Sequence, residues 1–300
     1  MGRDGEIFFN YTEWARTVST NFARKSRFSL TERGAGPYKE IVPRYTAGLT
    51  LLGIVLVGGA AAAPGNPSNE SAARTAVEQF VSRLGGVSVS DMVVIQTLTL
   101  YDPRDFRQQV TGEQRLSIKL PARQRLETHL AGEREVQLLS GDRLVMERGG
   151  KIFEAPPTER VRQRAHTLVP FRRTAADLLL EWQSLGVRTD VAHIARAGGR
   201  TLTVIGALEG DRTSPAVWLD PEYGVVRFII REDSGGRVKI LDLAFSEHRR
   251  VAGGFFYPFR QEIFLDGKLL SVTRVRTVEV NVGLPDSLFD ADALLKGASR

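Results

Sequence analysis

Residues Val225 to Val280 read VVRFIIREDSGGRVKILDLAFSEHRRVAGGFFYPFRQEIFLDGKLLSVTRVRTVEV, and the patterning of this stretch decides the fold. Val225–Arg231, Lys239–Glu247, Phe255–Phe264 and Leu269–Val280 approach a period of two, at which successive side chains point to opposite faces of a strand. Between them lie Asp233-Ser234-Gly235-Gly236 and Asp266-Gly267, residues that form tight hairpin turns. Short links join antiparallel neighbours, so the stretch predicts a meander. In Val225–Ile230 and Phe255–Phe264 residues of both parities are apolar, so both faces of the sheet carry apolar surface, more than one packed face uses.

The pattern extends toward the N-terminus. Val191–Ala195, Thr201–Leu208 and Ala216–Leu219 read as strands, with Gly210 marking a turn. So do Val93–Leu100, Leu116–Leu120, Arg125–Leu130, Glu135–Leu139, Leu144–Glu147 and Ile152–Glu154. Their separators are Asp102-Pro103, Pro121, Ala131-Gly132, Gly141-Asp142 and Gly149-Gly150. Four helices interrupt or flank them. Ala72–Leu84 carries Ala76, Phe80 and Leu84 on one face and stops at Gly85-Gly86; Thr158–Leu168 ends before Pro170. Thr174–Leu185 is apolar over much of its circumference through Leu178, Leu179, Leu180 and Trp182, and Asp286–Leu295 closes the chain. No linker, repeat or low-complexity stretch divides residues 64–300, so one domain is expected. The fold class is α+β: an antiparallel sheet of about a dozen strands, curled because sheets beyond about ten strands rarely stay open and flat. Helices inserted midway are placed to cover its concave face.

The 300 residues carry 41 Lys and Arg against 35 Asp and Glu, interleaved, so the net charge of +6 forms no dense basic stripe and nucleic acid is not an expected partner. Cysteine is absent, which excludes disulfides, thiolate metal sites, cysteine nucleophiles and an acylated cysteine of the chain's own.

From Arg44 the chain reads RYTAGLTLLGIVLVGGAAAAPG: a basic residue, an apolar run from Leu49 to Val57, then small residues to Ala63. This is the layout of a secretory signal, expected over residues 44–63 with cleavage after Ala62. The competing expectation is an uncleaved anchor in the inner membrane, since Thr46–Ala63 is nearly long enough to span a bilayer. Residues 1–43 are read as an extension outside the mature protein, either disordered or an artefact of gene calling with translation starting near Val42.

Phosphate-binding glycine loops, G-x-S-x-G and H-E-x-x-H are missing. His129, His166, His193 and His248 lie in separate predicted elements without a second ligand at metal spacing, so no metal or other cofactor is expected. Glu127, Asp220, Glu222 and Asp242 are carboxylates that read as solvated strand edges and turns. The second half is rich in aromatic residues (Trp218, Phe228, Phe245, Phe255, Phe256, Tyr257, Phe259, Phe264), more than a strand face of ordinary composition needs.

LSIKLPARQRLE (Leu116–Glu127), the Ser140-Gly141-Asp142 turn, the Gly149-Gly150 hairpin, VWLDPEYGVVRFIIRE (Val217–Glu232) and the segment from Gly253 to Asp290 together resemble the LolA/LolB-like superfamily, periplasmic carriers and receptors of outer-membrane lipoproteins and related lipid-binding proteins. The resemblance spans most of the chain after Gly86. It implies a half-open β-barrel with a helical lid over a face that shelters acyl chains. Carriers of that superfamily hold the lid with an arginine before the proline that matches Pro121; here the position is Leu120, which points to a lipid-binding relative more than to a dedicated lipoprotein shuttle. The expected function is therefore periplasmic binding of lipid or lipoprotein acyl chains without catalysis, by a monomer, with a donor or acceptor protein in the inner or outer membrane. The alternative is an envelope stress sensor or structural partner built on the same fold. By alternation, the expected lining is Leu116, Ile118, Leu126, Leu138, Phe228, Ile230, Phe245 and Phe264, with Leu179 and Trp182 on the lid. Sheltering about fifteen methylenes at about 0.8 kcal/mol each is worth roughly 12 kcal/mol relative to water, the same scale as leaving the chain in a bilayer.

Overall fold

A computed structural model describes residues 67–102, 107–155, 171, 173–234 and 237–297. The expected signal at 44–63 and the expected helix at 158–168 lie outside them. In chain order the elements are α1 (Pro67–Arg83), β1 (Asp91–Tyr101), β2 (Gln108–Lys119), β3 (Arg123–Leu130), β4 (Glu133–Ser140), β5 (Arg143–Arg148), β6 (Lys151–Glu154), α2 (Ala175–Ser184), β7 (Ala192–Ala197), β8 (Arg200–Ile205), β9 (Ala216–Asp220), β10 (Gly224–Ser234), β11 (Arg237–Arg250), β12 (Phe256–Leu265), β13 (Lys268–Val280), a 3-10 turn (Asp286–Phe289) and α3 (Ala291–Gly297).

All thirteen strands belong to one sheet, in the order β6-β5-β4-β3-β2-β1-β13-β12-β11-β10-β9-β8-β7. Every neighbouring pair is antiparallel. The alternation and hairpin turns account for this, except at one join: β1 lies beside β13, pairing Met92 with Val280 through Leu100 with Ser271. That join fuses two consecutive meanders into one sheet. The edges β6 and β7 stay apart, so the barrel is open.

β2 is the strand that alternation misses most, since it begins eight residues before the expected Leu116. Its first half, QQVTGEQR, turns Val110, Gly112 and Gln114 toward one face, and only the first is apolar. Gly112 is required there: a Cβ would stand 2.1 Å from the His129 carbonyl oxygen and 2.7 Å from Leu130 Cδ1.

Helices α1 and α2 cover one face of β8–β12, here called the inner face. α1 buries Ala73, Val77 and Phe80, spaced four and three apart; Ala76 and Leu84, expected on one face with Phe80, are half-buried beside them. α2 starts at a capping box. The Asp177 amide donates to Thr174 Oγ1 at 3.1 Å, and the Thr174 amide donates to the Asp177 carboxylate at 2.9 Å. The bonds from the Thr174 backbone and hydroxyl hold the Asp177 carboxyl below the usual range. The helix then buries Leu178, Leu179 and Trp182 against Val217, Leu219, Phe228, Ile230 and Leu243, each large side chain contributing about 1.5–3 kcal/mol of transfer free energy.

The C-terminal segment covers the opposite, outer face of the β1–β6 half. One continuous helix was expected over Asp286–Leu295. Two pieces form instead, because the Asp290 side chain accepts from the amides of Asp292 and Ala293, both at 2.9 Å, and so caps a new helix. Leu284, Phe289 and Ala291 pack on Val93, Leu138 and Val145. Basic side chains pin the segment from beneath: Lys119 Nζ donates to the Leu284 carbonyl at 2.7 Å, and Arg143 pairs with Asp292 at 2.9 Å.

The inner face of the sheet as candidate functional site

Strand register divides the inner face into two halves. Over β8–β12 it is apolar and closed: Ile205, Val217, Leu219, Phe228, Ile230, Leu241, Leu243, Phe245 and Ile263 form one buried cluster with α1 and α2. Phe80 of α1 is seated at the β9–β10 turn on Gly224, whose φ of +86° suits glycine and where a Cβ would lie 2.6 Å from Phe80 Cζ. Over β1–β5 the face is mixed. Met92, Val94 and Ile118 pack with Phe171 and Phe255, whose rings meet edge to face at 4.5 Å, and Leu98, Leu100 and Leu130 form a second apolar group. Between these two groups runs a polar row.

The expected site residues distribute as follows. Phe228, Ile230, Phe245, Leu179 and Trp182 share the cluster under the helices, where they pack on one another. Leu116 and Ile118 belong to the cluster around Met92, and Leu126, half-buried, stands opposite Leu116 on the same face. Leu138 and Phe264 are on the outer face. In β4, Val136 and Leu138 point outward while Gln137 and Leu139 point inward, so Leu138 lies under the C-terminal segment. In β12, Ile263 and Leu265 take the inner positions and Phe264 alternates away from them. Both corrections have one cause: where two successive residues are apolar, alternation does not say which one faces the helices.

The polar row comprises Gln96, Gln114, Thr128, Glu135 and Arg148, directly opposite one another on β1 to β5. Sequence reading missed it because each member sits alone in its own strand; only pairing aligns them. Gln96 Nε2 donates to Gln114 Oε1 at 2.9 Å, and Gln114 Nε2 donates to Thr128 Oγ1 at 3.0 Å. Glu135 accepts from Gln137 Nε2 and from Arg148 Nε, both at 2.7 Å. Thr128 is 5% exposed and Glu135 7%.

Of the carboxylates singled out from the sequence, Glu127, Asp220 and Asp242 are on the outer face and Glu222 is in the β9–β10 turn, all in ion pairs. Burial pushes the Glu127 carboxyl up, but Arg125 and Arg134 outweigh it and its pKa falls below the ordinary value. Arg227 pairs with Asp242 at 2.6 Å. Asp220, fully buried, accepts from Arg200 at 2.9 Å and from the amides of Glu222 and Tyr223 at 2.8 and 2.9 Å, and Arg200 also holds Glu222 at 2.8 Å. The Arg200 guanidinium lies 3.8 Å from the centre of the Tyr223 ring, which stacks on His248 at 4.6 Å. These groups are spent in holding strands and turns together.

An open antiparallel half-barrel with two helices on its inner face defines a class of fold in which sheet and helices can enclose a guest. The fold is LolA-like. A domain from Vibrio parahaemolyticus, named as an outer membrane lipoprotein-sorting protein, superposes with a TM-score of 0.50 at 12% identity, over 74% of this chain and 99% of its own. A protein of the DUF1329 family from Desulfovibrio piger gives 0.50 at 12% identity, over 75% of this chain and 99% of its own. A LolA superfamily protein from Nitrosomonas europaea gives 0.47 at 13% identity, over 74% and 98%. No protein-family model matches the sequence, and no curated protein matches it.

Proposed function

We propose that this protein is an exported, periplasmic carrier that shelters the acyl chains of a lipid or lipoprotein against the inner face of its sheet, without catalysing a reaction. The observation that carries this reading is the way α1 and α2 close over Phe228, Ile230 and Phe245. The cover is held mainly by nonpolar contacts, which an acyl chain can replace one for one at little net cost, because burial energy depends on area and not on the identity of the apolar partner. A similar fold in a domain named for lipoprotein sorting supports the same reading. Residues 44–63 would direct export and be cleaved near Ala62, leaving residues 64–300 as a single lipid-binding domain. No helix among the described residues is long and apolar enough to cross a membrane. Donor and acceptor proteins in the two membranes would give the transfer its direction, since the carrier itself only matches the bilayer in affinity.

The test is native mass spectrometry of the exported full-length product, purified without detergent, with extraction and identification of what it carries. A stoichiometric species of acyl-chain mass is expected. Protein that stays empty after incubation with envelope lipids would overturn the carrier and favour a sensor or structural partner.

A further inference from the structure

The polar row on the inner face is the feature that packing leaves unexplained. It crosses five strands, about 19 Å at the usual strand spacing, between rows that are mainly apolar: Val94, Leu116, Leu126 and Met146, interrupted by Gln137, on one side, and Leu98 and Leu130, with Gly112 between them, on the other. An apolar residue at each of these positions would continue the surface on both sides. Polar side chains in such a setting are costly unless their hydrogen bonds are completed.

The internal bonds complete only part of them. Each carboxamide has two N–H donors and a carbonyl acceptor. Gln96 and Gln114 each spend one N–H on the next member of the row, and Gln137 spends one on Glu135. This leaves a second N–H on each of the three, and the carbonyl oxygens of Gln96 and Gln137 accept no side-chain bond among the described residues. Gln96, Gln114 and Gln137 are half-buried, so these atoms reach the inner surface. The charges in the row cancel, because Glu135 and Arg148 pair at 2.7 Å. Those two charges are committed to each other, so a charged head placed alongside would be desolvated without a counter-charge of its own.

Resting on the acyl-binding reading above, we propose that the row is the head-group subsite of the carrier, and that it selects an acyl ligand whose head is uncharged and offers both donors and acceptors, such as a polyol or an amide. The chain of that ligand runs over the half-buried Leu116 and Leu126 side chains, while the head completes the open valences of Gln96, Gln114 and Gln137.

The test is displacement of Nile red from the detergent-free, full-length exported protein by three ligands with one acyl chain: monopalmitoylglycerol, methyl palmitate and palmitate. Monopalmitoylglycerol is expected to act at a concentration about tenfold lower than either of the others, the effect of one or two hydrogen bonds formed only with its head. Gln96→Met and Gln114→Leu, tested separately and checked for folding by circular dichroism, should each erase that preference and leave methyl palmitate unchanged. Equal action of the three ligands on the wild-type protein, or a preference that survives both substitutions, overturns the subsite while leaving acyl binding intact. Failure of all three to bind overturns the acyl reading and the subsite with it.

Discussion

Gly224→Ala tests how the helical cover is seated. The residue has φ = +86°, and a methyl group there would stand 2.6 Å from Phe80 Cζ and 2.9 Å from Cε2. Two costs follow. The left-handed backbone penalises a residue with a Cβ by roughly 1–2 kcal/mol, and overpacking against the buried Phe80 ring adds typically about 1–3 kcal/mol. The single variant should therefore lose about 2–5 kcal/mol, a large share of the 5–15 kcal/mol that folded domains of this kind hold. Phe80→Leu removes the ring atoms that the new methyl meets and keeps an apolar side chain in place. In that background Gly224→Ala should cost only the backbone part, about 1–2 kcal/mol, so the two substitutions couple by about 1–3 kcal/mol. Urea unfolding of the four proteins of this cycle, followed by far-ultraviolet circular dichroism, gives the coupling directly. Additivity within about 0.5 kcal/mol would refute the seating of α1 on the β9–β10 turn.

Two further outcomes follow from buried polar groups. Burial, with a smaller contribution from Arg200 and against the pull of Asp220, lowers the His248 pKa to about 4. The unfolded chain then binds the proton first, so stability is complete above about pH 6.5 and falls as the pH drops from there toward 4; His248→Phe, which retains a ring to stack on Tyr223, should flatten this slope, and equal slopes in urea titrations at pH 7.5, 5.5 and 4.5 would show that His248 titrates alike in both states. Asp91, buried at the start of β1, accepts from the amides of Val282 at 2.7 Å and Gly283 at 3.2 Å, so Asp91→Ala should cost about 1–3 kcal/mol in urea unfolding and Asp91→Asn less, whereas a loss under about 0.5 kcal/mol would mean the chain end does not need this anchor.

The first half of β2 escaped sequence reading because only one of its inward positions, Val110, is apolar, the others being Gly112 and Gln114, and a strand without apolar alternation has no periodic signal. The C-terminal helix was found, but its place on the outer face was not, since the apolar residues of Leu284–Leu295 fit either face of the sheet. The cover was partly legible: a helix as apolar as Leu178–Trp182 must pack on something, and it packs on Phe228 and Ile230.

Alternation and turn chemistry, which are properties of neighbouring residues, by themselves determined that the chain is an antiparallel meander with a helix at each end and an apolar one in the middle. Tertiary structure alone decided three things. It paired β1 with β13 across about 170 to 190 residues, because register between distant strands is set by whole faces matching. It sent Leu138 and Phe264 outward, because an apolar residue fits either side until helices choose one. It also aligned Gln96, Gln114, Thr128, Glu135 and Arg148, one from each of five strands, into a row that exists only when the strands lie side by side.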